Sequence, residues 1–288
     1  MVYEKITCES KKILDSYIDK CKYLTSDYAL PVMLTWEDLI EPEMAEKDNA
    51  LFIRAVLHGN RVYFPPLTEK NFDKAIDTII EETEQNNQPF KVILALKEQI
   101  DCLAPERFRF TTNRDYAEYL YLSQDLIELN GRKYHAKRNH IHKFNSLYSY
   151  EFRSFRKDDK NGIIEQLHQW AEFKEEPLVE LNMVTFLLEH IDDMDIFADV
   201  ITIDGKIAGT AIGECSNKDM GIVMYEKCDY RYEGIYAAIN QMFAEKHFKN
   251  TKYINRQEDM GIAGLRKSKM SYKPTKLGYR YTIKLKKK

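Results

Sequence analysis

Hydrophobic and polar positions follow two rhythms along this chain. Ala50-Leu-Phe-Ile-Arg-Ala-Val-Leu57 and Asn60-Arg-Val-Tyr-Phe64 are β-rich runs joined by His58-Gly59, a hairpin pattern that Pro65-Pro66 ends. Thr68 opens a helix in which Phe72, Ala75, Ile76, Ile79 and Ile80 share one face. Lys91–Leu96 is a buried strand, followed by a short helix to Leu103 and an extended Phe108–Thr112. Ala29–Trp36 is predicted extended. Asp115–Leu122 is predicted a strand from its aromatic density.

The second half repeats that order without repeating its letters. Helices are predicted over 161–173 and 182–190. A meander follows, in which Phe197–Ile203 and Lys206–Ile212 flank Asp204-Gly205. Gly221–Tyr225 is its third strand. Then come a helix over 234–248 with Ile235, Ala238, Ile239, Met242 and Phe243 inward, a strand at Thr251–Ile254, a short helix over 261–270 and a last strand at 279–285. The pattern predicts two mixed α/β lobes, 1–130 and 151–288, joined by a linker helix at 131–150. Lys284-Leu-Lys-Lys-Lys288 is expected to be a frayed, solubilising tail.

Composition narrows the class. At 288 residues, 44% hydrophobic and formally −3, the chain fits neither a disordered protein nor one that coats nucleic acid generally. No apolar run approaches the roughly 18–20 residues of a membrane span, and the first residues have no apolar core of the secretory type. A cytoplasmic protein is expected. The five cysteines are odd in number and form no CxxC pair, which suits free thiols in a reducing compartment. No GxSxG, P-loop or HExxH motif is present, so hydrolase and nucleotide-triphosphatase chemistry has no support. No metal is expected: His140 and His142 diverge on a helix, and Glu165-x-x-His168 occurs once.

One stretch breaks the charge balance. Gly131-Arg-Lys-Tyr-His-Ala-Lys-Arg-Asn-His-Ile-His-Lys-Phe144 holds Arg132, Lys133, Lys137, Arg138 and Lys143, three histidines and no acid. On a helix, His135, Arg138 and His142 form one stripe and Lys133, Lys137 and His140 the next, while Ile141 and Phe144 supply apolar contact. Three uses stay open: RNA phosphates, an anionic lipid surface, or a strut between lobes whose cations pair with acids.

The order of elements over 160–285 resembles the acyltransferase fold of the GCN5-related N-acetyltransferases. Three blocks of letters are narrower: the basic stretch 131–144, Asp259-Met-Gly-Ile-Ala-Gly-Leu-Arg-Lys-Ser-Lys-Met-Ser-Tyr-Lys-Pro274, and Tyr63-Phe-Pro-Pro-Leu67. Over residues 25 to 285 or so, the chain resembles the bacterial family related to the C-terminal domain of phosphatidylglycerol lysyltransferases. That resemblance implies an α/β (mixed α+β) protein of two tandem GNAT-like lobes. It also implies an aminoacyl- or acyl-transferase acting in the C-terminal lobe, with aminoacyl-tRNA as donor and an amine or hydroxyl of a small molecule or peptide as acceptor, and with no further cofactor required. An acyl-CoA-dependent N-acyltransferase and a non-catalytic module binding RNA or an anionic metabolite are the alternatives.

Acetyl-CoA users of the fold carry Q/R-x-x-G-x-G/A, whose backbone amides hold pyrophosphate. The matching place here is Arg231-Tyr-Glu-Gly-Ile-Tyr236. Arg231 and Gly234 fit as cofactor-binding residues. Tyr236 stands where a small residue belongs, and Glu233 adds a negative charge. The departure favours an aminoacyl donor, for which other groups are candidates. Glu258 and Asp259 would serve as general base, and Tyr272 would protonate the leaving oxygen. Glu226, Asp229, Asn255, Arg256, Arg266 and Lys269 would bind substrate. The plain alternative makes Asp259 a helix cap and the two helix cations a solvated face.

Overall fold

The computed structural model describes residues 1–174 and 180–286, so Lys287 and Lys288 of the expected tail lie outside the described residues. The chain divides into two compact units. The first holds Met1–Glu118, Glu258–Ala263 and Leu277–Lys288, and the second Tyr119–Gln257 and Gly264–Lys276. This differs from the division drawn along the sequence. The basic helix lies inside the second unit, and the segments 258–263 and 277–288 belong to the first.

The first unit is built on one mixed sheet. Its strands run in the order Glu4–Lys5, Glu43–Lys47, Ala50–Leu57, Asn60–Tyr63, Val92–Ala95, Tyr281–Leu285 and Phe108–Thr112. His58 (φ 51°) and Gly59 (φ 73°) are both left-handed, as a tight two-residue hairpin turn requires. Asp48 and Asn49 (φ 51° and 60°) make a second such turn and pair Glu43–Lys47, a strand the hydrophobic pattern did not reveal. The helix Phe72–Gln85 buries its predicted face, with Ile76 and Ile79 fully inaccessible against the sheet residues Phe52, Tyr63, Val92 and Ile283. Removing each isoleucine from water contributes about 1.5–3 kcal/mol.

Ala29–Trp36 is a helix (Leu30–Leu34) rather than extended chain, because Pro31 falls in its first turn, where the fixed φ and missing N–H are harmless. The last strand pairs with neither of its sequence neighbours. It sits antiparallel between Val92–Ala95 and Phe108–Thr112, with Ile283 opposite Phe110, and so Lys284 and Leu285 of the expected tail are part of a sheet.

The second unit carries the predicted meander. Its sheet runs Glu118–Leu122, Tyr253–Asn255, Met220–Cys228, Lys206–Asn217, Phe197–Ile203 and Tyr150–Ser154. Asp204 and Gly205 form the expected left-handed turn pair. The helices Lys160–Lys174, Leu181–Glu189 and Ile235–His247 fall where the periodicity puts them. No described helix is long and apolar enough to cross a membrane.

Candidate active site

The site grows from a parting of two strands in the second unit. Met220–Cys228 pairs in parallel with Tyr253–Asn255 only through Met220–Tyr253, Gly221–Ile254 and Ile222–Asn255. Beyond Ile222 it stays bonded to Lys206–Asn217, as far as Cys228 opposite Gly209, while the short strand ends. Glu226 therefore stands on one arm of an opening and Arg256 just past the end of the other.

The two side chains meet across it. Arg256 Nη2 donates to Glu226 Oε1 at 2.9 Å, and Asn240 Nδ2, from the helix Ile235–His247, donates to Oε2 at 2.9 Å. The guanidinium lies 4.9 Å from the centroid of Tyr272, whose ring meets Tyr121 edge-on. Lys137 Nζ sits 3.7 Å from the same Tyr272 ring and makes no hydrogen bond or ion pair among the described residues. Lys269 donates to the Arg256 carbonyl at 2.6 Å, Tyr121 Oη to the Lys269 carbonyl, and Tyr134 Oη to the Tyr272 carbonyl. These contacts fix the backbone that presents Arg256 and Tyr272.

Electrostatics set the protonation states. Burial, then the nearby Arg256 charge, pull Lys137 down to about 8. Burial raises the Tyr272 and Tyr121 phenols, so both keep their protons at neutral pH. Arg256 Nη1 and Asn240 Oδ1 are buried with no hydrogen-bond partner among the described residues. An unmet buried donor on a guanidinium is costly unless it meets an acceptor in the working state.

The structure gathers Glu226, Arg256, Lys269 and Tyr272 from the predicted set, with Asn255 adjoining: its Oδ1 accepts from Gln257 N, and its Nδ2 is buried without a partner. Arg266 is half-buried on the helix Ala263–Ser271. Glu258 and Asp259, expected as general bases, fall in the first unit. Glu258 pairs with Arg280 at 3.0 Å, while the fully buried Asp259 pairs with Arg114 at 3.2 Å and caps Gly261 N. Both carboxylates are engaged by arginines from residues 114 and 280, too remote in sequence for local spacing to reveal. Lys137 was expected on an RNA- or anion-binding stripe, and Tyr121 and Asn240 were not singled out. Asn240 left a signal, as the polar position among Ile235, Ala238, Ile239 and Phe243.

The loop at the expected cofactor position makes several bonds within the protein. Arg231 folds onto the buried Asp229, donating from Nε at 2.9 Å and from its backbone N at 3.0 Å. The amides of Tyr232, Glu233 and Ile235 meet Asp229 O, Tyr148 Oη and Tyr232 O. Gly234 (φ 91°) has the His140 carbonyl against it, 2.2 Å from where a Cβ would lie. Gly234 thus serves the close approach of the basic helix, and the amides of Tyr232, Glu233 and Ile235 are bonded within the protein. Gly234→Ala is expected to cost more than about 1 kcal/mol, seen as a lower thermal midpoint.

The basic helix, His135–Leu147, is tied within its own unit. Lys133 pairs with Asp125 at 2.9 Å and Lys143 with Glu233 at 2.7 Å. Arg138 caps the preceding helix by donating to the carbonyls of Leu129 and Gly131. Arg132 is exposed. The exposed pairs are worth at most about 1 kcal/mol each, so they locate the helix more than they stabilise it.

Residues 21–284 match the family model described as phosphatidylglycerol lysyltransferase, C-terminal. A conserved protein of unknown function from Bacteroides thetaiotaomicron VPI-5482 superposes with a TM-score of 0.93 at 28% identity over 99% of either chain. L-PGS from Bacillus licheniformis superposes at 0.69 and 13% identity, over 96% of this chain and 92% of that one. An acetyltransferase of the GNAT family from Colwellia psychrerythraea gives 0.51 and 11% identity over the whole of both chains. The last two likenesses show the fold: mixed α/β and GNAT-like.

Proposed function

The chain belongs to the phosphatidylglycerol lysyltransferase C-terminal family, and on that footing we propose that it is an aminoacyltransferase whose chemistry takes place around Arg256 in the second unit. The donor is an aminoacyl-tRNA ester, and the acceptor is an amine or hydroxyl on a small molecule or peptide. The observation that carries this is the buried, unpartnered Arg256 Nη1, beside a phenol that keeps its proton and an amine that loses one near pH 8.

Each group has a role in ester aminolysis. The acceptor nitrogen attacks the ester carbonyl carbon, and Arg256 Nη1 donates to the oxygen as it becomes anionic. Neutral Lys137 takes the proton from the attacking nitrogen. Tyr272 gives its proton to the ribose oxygen as the ester C–O bond breaks, and Lys137 returns the proton to the phenolate. Glu226 holds the guanidinium in place and offers a carboxylate to the α-ammonium of the aminoacyl group. No metal enters, because orientation and proton transfer suffice. The internal bonds of the Tyr232, Glu233 and Ile235 amides support an aminoacyl donor over an acyl-CoA.

The test is the pH dependence of labelled amino acid transfer from charged tRNA. The wild-type rate is expected to rise through about pH 8 as Lys137 loses its proton. Lys137→Met should lose roughly 10²–10⁴-fold and flatten the profile. A Lys137→Met protein with wild-type rate and profile sinks the assignment. Stability moves the other way. The folded pKa lies below the unfolded value, so the charged amine penalises folding below about pH 8, and the penalty fades as pH rises toward the unfolded value. Lys137→Met should therefore melt higher than wild type at pH 7, with the gain vanishing near pH 10.5.

A further inference from the structure

A second recognition site lies in the same unit. The loop after Met220–Cys228 and the C-terminal half of the helix Lys160–Lys174 enclose a cavity of about 240 Å³, lined by Gln166, Gln169, Trp170, Phe173, Asp229 and Tyr230, among others. Gln166 is 3% exposed, and neither atom of its amide has a hydrogen-bond partner. A buried amide needs both a donor and an acceptor, and the described residues supply neither. At the rim, the Phe173 and Tyr230 rings stack at 3.2 Å and 17°, yet are 49% and 41% exposed. Trp170 is held in place by Tyr236 Oη, which accepts from its Nε1 at 3.0 Å, and by Lys227 Nζ, 3.3 Å from its ring centroid. The Asp229 carboxylate is taken up by Arg231, while Glu172 places an exposed carboxylate on the lining.

We propose that this cavity binds a nucleobase, with the Gln166 amide pairing with a donor–acceptor edge of the base and the aromatic rim stacking on its face. A planar heterocycle with neighbouring donor and acceptor meets both halves of the Gln166 amide at once. Single-stranded nucleic acid ends are held in this way by aromatic rings and amide side chains. An ammonium or a carboxylate would satisfy only one half of the amide. The site does not depend on the transfer chemistry, and binding here and turnover at Arg256 are separable.

Tryptophan fluorescence tests it, because Trp36 and Trp170 are the only tryptophans. In a Trp36→Phe background, adenosine, cytidine, guanosine and uridine are each titrated up to millimolar concentration. At least one nucleoside is expected to change Trp170 emission saturably, and Gln166→Leu should weaken that nucleoside at least tenfold. The same titration with ATP and with a CCA trinucleotide distinguishes a free nucleotide from an RNA end. Gln166→Leu should melt no lower than its parent, since it removes two unmet polar atoms. No saturable response to any nucleoside, or equal affinity in a folded Gln166→Leu protein, overturns the proposal. Should Gln166→Leu fail to fold, Gln166→Glu replaces it: losing the amide donor must weaken the nucleoside, and unchanged affinity overturns the proposal.

Discussion

Arg280→Ala is expected to destabilise the first unit by about 3–5 kcal/mol, the usual cost of stranding a buried ionic partner. Arg280 is 9% exposed and serves three acids: Asp27 at 2.5 Å, Glu258 at 3.0 Å and Glu118 at 3.9 Å. Its Nε also donates to Tyr116 O. One guanidinium for three carboxylates leaves excess negative charge in a buried place. Burial accordingly raises Asp27 above the ordinary carboxylate range even with the cation present. Without the cation, Asp27 should rise further. A carboxyl whose folded pKa exceeds its unfolded value gains stability as pH falls through the folded pKa toward the unfolded one. The variant's thermal midpoint should then drop by roughly 10 °C at pH 8, with part of the loss recovered at pH 5. A drop of equal size at both pH values contradicts this account of the cluster.

Arg256→Met is expected to reduce transfer by roughly 10²–10³-fold, as the loss of an oxyanion donor does. It should also destabilise, because Glu226 is left buried with only Asn240 as donor. The two effects come apart in the double variant. Glu226→Gln with Arg256→Met removes both charges and should recover most of the lost stability without recovering activity. If activity returns along with stability, Arg256 only holds the fold.

The elements with local signals were legible. The amphipathic face of Phe72–Gln85, the Asp204-Gly205 turn and the meander were read from periodicity and turn residues, because those preferences act over a few neighbours. Strand partnership was not legible. Tyr281–Leu285 reads as a strand, but its place between Val92–Ala95 and Phe108–Thr112 rests on contacts across most of the chain. The candidate site divides in the same way. Arg256, Glu226, Lys269 and Tyr272 were marked by type and place, and the structure brings them together. Glu258 and Asp259 belong to the same run of letters, yet fall in the first unit and pair with arginines remote in sequence. Lys137 reads as one cation of the basic stripe, and its burial and the Arg256 charge near it change its chemistry.

The most direct measurement follows a labelled amino acid from charged tRNA into RNase-resistant product, using a mixture of polar, lipid and peptide acceptors, with acetyl-CoA run in parallel. The predicted result is transfer by the wild type, its loss in the folded Glu226→Gln/Arg256→Met variant, and no transfer from acetyl-CoA. Label leaving acetyl-CoA while charged tRNA stays intact, or undiminished transfer by the double variant, would contradict the account.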